Sequence, residues 1–138
     1  MTAPKIMIDT NIVSYLMRGK EEARAYAHHL RGKLISISFI TVGELYYGAE
    51  KRKWGLQRRL ELESALRNFL VIPYDHEIAR SYARVLVDCQ KQGRPISSND
   101  AWIAACAVRH SVPLATHNAR DFEAVPGLEL ITESVRGI

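Results

Sequence analysis

Four acidic residues, remote from one another in the chain, occupy the same kind of position. Asp9 follows a short apolar run, Lys5 to Ile8. Glu44 falls in the first turn of the helical stretch behind a second run, Leu34 to Phe39. Asp100 opens an alanine-rich helical stretch, and Asp121 comes shortly after Thr116, where another apolar run ends. Each has an ordinary explanation on its own. Asp9 suits a helix N-cap, Glu44 closes a capping box with Thr41, Asp100 is favoured by the helix dipole, and Asp121 suits a turn. Their joint placement points to one pocket. Two carboxylates about 4 Å apart repel by about 4 kcal/mol at an effective dielectric of about 20. Three or four together need a cation, or some must take up protons. No lysine or arginine stands immediately beside Asp9, Glu44 or Asp100. Hard oxygen donors select a hard divalent cation, Mg2+ or alternatively Mn2+. Such a cation activates a water and stabilises charge on a phosphoryl group. The chemistry expected of these residues is metal-dependent attack of water on a phosphodiester.

That convergence requires a particular scaffold. Short apolar runs at Lys5–Ile8, Leu34–Phe39, Leu70–Ile72, Val112–Thr116 and Leu128–Ile131 read as buried strands. Helical patterns lie between them. One is capped by Thr10 or Asn11, runs through Met17 and is ended by Gly19; a second spans Glu21 to Leu30. A third runs from Val42 to Arg52 behind a Thr41 cap, and a fourth from Trp54 to Asn68. Asp75 to Gln92 carries the clearest apolar stripe, Ile78, Tyr82, Val85, Leu86 and Cys89, and Gly93 and Pro95 close it. Asn99 caps the last helix, Asp100 to Arg109, which is apolar nearly all round. Strands alternating with helices predict a parallel sheet covered on both faces, with ligands gathered beyond the carboxyl ends of the strands.

The 138 residues suit a single domain over 1–138, with 47% hydrophobic and 25% charged residues. A chain near this length buries roughly 68–70% of its unfolded surface, enough for a core of its own. The longest apolar run, Ala101 to Val108, is far short of the roughly 18 residues a membrane span needs. Met1 to Lys5 leads into a short apolar stretch that meets Asp9, a pattern no signal peptide fits. Cys89 and Cys106 lack the spacing of a zinc site and read as buried thiols in a reducing cytoplasm. Nineteen basic against 15 acidic residues give a net charge of +4, which permits an anionic partner without requiring one.

Four segments carry a family resemblance: Ile8-Asp9-Thr10-Asn11-Ile12, the stretch from Ser38 to Gly48 around Glu44, Asn99-Asp100-Ala101-Trp102-Ile103-Ala104-Ala105, and Thr116 to Phe122. In order and spanning nearly the whole chain, they resemble the four motifs of PIN-domain ribonucleases. With no added domain, the chain is similar to VapC-type toxins of bacterial toxin–antitoxin pairs. The resemblance implies a three-layer α/β/α PIN-like domain with a parallel central sheet of about five strands. It implies Asp9, Glu44, Asp100 and Asp121 as the acidic metal-site residues, Asp9 and Asp100 as the direct ligands, and Asn11 and Thr116 as residues that orient carboxylates or water. It further implies an endoribonuclease cleaving structured RNA, a homodimer, and a cognate antitoxin covering the active site. Thr132 to Ile138 departs from the pattern by lacking the tryptophan that many relatives carry there.

The densest basic cluster, Lys51, Arg52, Lys53, Arg58 and Arg59, surrounds Trp54 and reads as an RNA contact or a solvated helix face. Arg18, Lys20 and Arg24 lie nearer the first acidic motif and are further candidates for the RNA path. His28, His29, His76, His110 and His117 read as surface or structural residues, and Tyr46 and Tyr47 as packing or dimer contacts. Val13, Leu16, Leu45 and Tyr46 are candidates for an apolar docking patch. Two other functions compete: a non-catalytic RNA- or protein-binding module on the same fold, and a haloacid-dehalogenase-like phosphatase. The latter expects a second aspartate two residues after the first, where this chain has Asn11.

Overall fold

The structure is a computed structural model and describes residues 4–133. Five strands, β1 (Lys5–Ile8), β2 (Leu34–Ser38), β3 (Leu70–Ile72), β4 (Leu114–Ala115) and β5 (Leu130–Ile131), form one wholly parallel sheet in the order β3-β2-β1-β4-β5. The middle strand is buried on both faces, as a parallel sheet between helices requires. Met7 points to one side, into a core with Leu114, Ile78, Val85 and the alanines that follow Asp100. Ile6 and Ile8 point to the other, against Ile12, Val13, Tyr26 and Ile37. The chain builds β1, β2 and β3 outward in one direction, then returns to add β4 and β5 on the far side of β1. The strand order therefore reverses between β1 and β4, and the crevice beyond their carboxyl ends is where such sheets bind ligands.

Among the described residues, seven α-helices flank the sheet: α1 (Thr10–Arg18), α2 (Glu21–Arg24), α3 (Ala27–Leu30), α4 (Phe39–Lys51), α5 (Leu56–Leu66), α6 (His76–Lys91) and α7 (Ser98–His110). Several boundaries differ from those predicted. Of the two readings of the α1 cap, Asp9 holds and Thr10 or Asn11 does not, because β1 ends at Ile8 and leaves Asp9 extended, with its side chain on the Ile12 amide. The expected helix from Glu21 to Leu30 breaks at Ala25–Tyr26, where Tyr26 turns fully inward. β2 stops at Ser38, and α4 begins at Phe39, capped by the Ser38 hydroxyl on the Ile40 amide. Thr41 is thus inside the helix and buried, so the Thr41–Glu44 capping box does not form. Ser97, not Asn99, caps α7. β4 and β5 are shorter than predicted, the Val112, Pro113 and Leu128 flanks lying outside the ladder.

Gly19 ends α1 at φ +63, a conformation that costs a residue with a Cβ about 1–2 kcal/mol. Nothing lies within 4 Å of a Cβ built there, so the effect of substitution is conformational alone. Gly19→Ala is expected to lower stability by about 1 kcal/mol in urea unfolding, with an unchanged m-value.

Cys89 and Cys106 are buried and free. Burial pushes the Cys106 thiol up to about 11, and its sulfur packs 3.3 Å from the Ser38 hydroxyl. No described helix is long and apolar enough to cross a membrane. The C-terminal departure from the family pattern falls mostly on residues 134–138, and the N-terminal segment partly on residues 1–3, all outside the described residues.

Candidate active site

Asp9 sits at the switch point, only 5% exposed. Both of its oxygens are engaged. Oδ1 accepts from the Ile12 amide at 3.0 Å, and Oδ2 accepts from the Thr116 hydroxyl at 2.6 Å. Thr116 is fully buried just past β4, and its Oγ1 in turn accepts from the Asn118 amide at 3.0 Å. The two central strands thus lock one carboxylate in place. Burial nevertheless raises the pKa of Asp9; the Thr116 and Ile12 bonds oppose that rise, and Glu44 adds to it.

Glu44 projects from α4 toward the same crevice. Thr10 Oγ1 donates to its Oε1 at 2.6 Å, and Asn99 Nδ2 to its Oε2 at 3.1 Å. Thr10 also lies 3.0 Å from the Thr41 hydroxyl, so freeing Thr41 from a cap ties α1 to α4. Asp100, in the first turn of α7, is half-buried. Its pKa is raised mainly by burial and further by Asp121, Glu44 and Asp9, against the Ser97 hydrogen bond. Asp121 is exposed, at the end of a short 3-10 turn, Ala119–Asp121. All four carboxylate residues line one cleft of about 110 Å3, with Thr10, Asn11, Ile103, Asn118 and Phe122. Asn11 lies on its exposed rim and supports Asp9 through its backbone amide. Among the described residues no lysine, arginine or histidine forms an ion pair with any of the four.

This donor set suits a hard divalent cation: carboxylate oxygens from four separate segments, two of them held up in pKa by burial and mutual repulsion, with Arg94 and Arg120 sharing a neighbouring cavity with Asp100 and Asp121 but, among the described residues, no cation in ion-pair contact with any of the four. A second group of ligand-type atoms lies elsewhere. His28, His29 and Glu133 bring theirs within 4.8 Å of one another. There, however, His29 Nε2 already pairs with Glu133 Oε2 at 2.7 Å, and the His28 and His29 rings lie 3.9 Å apart, tilted by 39°. The contact that the structure shows there is the His29–Glu133 hydrogen bond, which ties α3 to the segment after β5.

A larger groove of about 470 Å3 adjoins the acidic cleft and shares Thr10, Asn11 and Glu44 with it. Of the predicted basic residues, Arg18, Lys51 and Arg52 line this groove, and Arg58 joins them; Lys20 and Lys53 do not. Arg58 lies over the Trp54 ring, 4.2 Å from its centroid. Arg59 is withdrawn from ligand contact, because it bonds Glu50 and the carbonyls of Trp54 and Ala49 and so fastens α5 to α4. The proposed docking patch is also reduced. Val13 is buried and Leu16 and Leu45 pack against the core, leaving Tyr46 and Tyr47 as its exposed neighbours. Thr10, Asn99 and Asn118 went unassigned to the site in the sequence, although each sits inside a segment that carries one of the four acids.

Comparison with known proteins agrees with the fold. A family model for the PIN domain matches residues 6–128. Ribonuclease VapC2 of Haemophilus influenzae is 35% identical over 125 residues, covering 90% of this chain and 94% of that protein. The solved structure of VapBC2 from Rickettsia felis, bound to a DNA fragment from its promoter, contains a chain similar to this one at a TM-score of 0.83 and 27% identity, over 93% of this chain and 98% of that one. A toxin–antitoxin complex from Klebsiella pneumoniae contains another, at a TM-score of 0.69 and 31% identity, over 92% and 96% of the two chains.

Proposed function

The chain belongs to the PIN-domain family, and from that premise we propose that it is a metal-dependent endoribonuclease, the toxin of a toxin–antitoxin pair, acting on structured RNA. The observation that carries the reading is a buried aspartate with both oxygens oriented, sharing a cleft with three further carboxylates and no cationic side chain. Asp9 and Asp100 would hold the cation, Mg2+ or alternatively Mn2+, with Glu44 and Asp121 facing the same cleft. When bound, it supplies an activated water and charge stabilisation at the phosphoryl group. The chain's own residues do the rest. Thr116 and the first amides of α1 fix the direction of Asp9. Thr10 and Asn99 hold Glu44 with both oxygens occupied, so it is turned toward the cleft before substrate arrives. Asn11 on the rim is placed to meet the RNA backbone.

Arg18, Lys51, Arg52 and Arg58 give the adjoining groove the charge to follow a phosphate backbone toward the acids. Removing Arg18 and Lys51 together is expected to weaken RNA binding and to lower its salt dependence by roughly 0.7 in log–log slope per contact on single strands. Lys20→Ala and Lys53→Ala are expected to leave both unchanged. Fluorescence anisotropy across a salt series separates the two sets.

The partner supported by the solved neighbours is an antitoxin; that it covers the cleft, and that the chain assembles as a homodimer, are what the resemblance implies. A reducing cytoplasm suits both the RNA substrate and the two free thiols. The decisive experiment incubates the purified chain with cellular RNA and maps new 5′ ends. Cleavage that needs Mg2+ or Mn2+ and stops on addition of the antitoxin is expected. Binding of RNA without cleavage under any divalent cation would leave a non-catalytic module instead.

A further inference from the structure

Tyr26 lies in none of the four acidic segments, yet its hydroxyl is a junction behind them. The side chain is fully buried between α2 and α3. Its oxygen lies 3.2 Å from the Thr116 carbonyl and 2.9 Å from His117 Nδ1, and it accepts from the Glu133 amide at 3.0 Å. One proton and two lone pairs satisfy all three when the hydroxyl donates to Thr116 and His117 carries its proton on Nδ1. Two of these partners are the residues directly after β4. The His117 ring is further wedged edge-on against Tyr15 and Tyr26, 5.8 Å from each. The third partner, Glu133, follows β5 and is held by His29 of α3, whose hydrogen bond keeps the Glu133 carboxyl below its usual pKa.

Residue 116 is therefore gripped from two sides. Its carbonyl is bound by Tyr26, while its hydroxyl makes the 2.6 Å bond to Asp9 Oδ2. We propose that Tyr26 is a positioning residue for the carboxylate cleft: its hydroxyl fixes the backbone at Thr116–His117 and so sets the direction of the Thr116 bond that orients Asp9. The inference rests on the cation-binding reading of the cleft given above. It extends that reading to a residue outside the motifs and, through its backbone amide, to Glu133 after β5.

The test is direct binding of Mn2+ to the full chain by calorimetry. Tyr26→Phe keeps the ring and removes only the hydroxyl. Its Mn2+ affinity is expected to fall about ten- to hundred-fold, the range seen when a residue supporting a metal ligand is lost. Val85→Ala, on the buried face of α6 and outside the cleft, is the control for a loss of stability alone and is expected to bind Mn2+ like the wild type. In a Thr116→Val background, Tyr26→Phe is expected to weaken binding by less than about two-fold more, because the path through Thr116 is already cut. Undiminished affinity in Tyr26→Phe, or an equal loss in both backgrounds, overturns the proposal. A measurement on the wild type alone covers the case of a variant that does not fold. In a Mg2+ titration followed by NMR, the Glu133 amide is expected to shift with the same midpoint as the Asp100 and Asp121 amides. A stationary Glu133 amide overturns the coupling. A wild type that takes up no Mn2+ defeats the reading of the cleft itself, an outcome distinct from either.

Discussion

Asp9→Asn is expected to lower RNA cleavage by about 10³-fold or more while leaving the fold intact. The substitution is close to isosteric, and asparagine caps a helix about as well as aspartate. The bond from the Ile12 amide to Oδ1, which starts α1, therefore survives. What disappears is the negative charge at the one site carboxylate that is both buried and doubly oriented. A divalent cation stabilises a phosphoryl transition state by several kcal/mol. At 1.36 kcal/mol per factor of ten, the loss of about 4 kcal/mol gives about three orders of magnitude. Asp100→Asn is expected to act in the same direction and to a similar extent. Asp121→Asn is expected to have a smaller effect, because that side chain is exposed, whereas Asp9 is buried with both oxygens engaged. Single-turnover cleavage of one labelled RNA, with circular dichroism as the check on folding, measures all three. An Asp9→Asn protein that is folded and cleaves within tenfold of the wild type would remove Asp9 from the chemistry.

The sequence told more about what converges than about what holds it. Asp9, Glu44, Asp100 and Asp121 were legible because strand ends and helix starts share one edge of a parallel sheet, and the apolar runs marked those ends. The sheet itself followed from the same pattern. The caps of α4 and α7 were misassigned by three and two residues, and at α1 the Asp9 reading held over Thr10 or Asn11. Ser38 and Thr41, or Ser97 and Asn99, have nearly equal capping strength, and only the end of the preceding segment decides between them. That small shift mattered: with Ser38 as the cap, Glu44 is released from a local role and held by Thr10 and Asn99 instead. Tyr26 was invisible for another reason. Its partners lie 90, 91 and 107 residues away, and no local periodicity reports contacts of that range. The basic cluster divided because the turn between α4 and α5 spends Arg59 on Glu50 and two carbonyls while leaving Arg58 to the groove.

Without a divalent cation the protein is expected to melt at a lower temperature as pH rises from the ordinary carboxylate range toward neutrality, and the cation is expected to reverse this. Burial raises Asp9 and Asp100 above their ordinary value of 3.8. A carboxyl group raised in the folded state binds its proton more tightly there than in the unfolded chain. Its contribution to stability is complete below the unfolded value and is lost as pH climbs through the raised folded value. Above those raised values the ionised carboxylates oppose folding. Asp9→Asn is therefore expected to melt higher than the wild type in chelator near pH 7, by about 2–4 °C for each kcal/mol relieved. A cation that binds only the folded state adds about 2.7 kcal/mol at one hundred times its dissociation constant, a rise of about 5–10 °C. That rise is expected in the wild type at about pH 7.5, to shrink at about pH 5 where protons compete for the ligands, and to vanish in Asp9→Asn. Differential scanning calorimetry in chelator and in Mn2+, at both pH values, reads all of these at once. An equal rise in the wild type and in Asp9→Asn would show that the cation is held elsewhere.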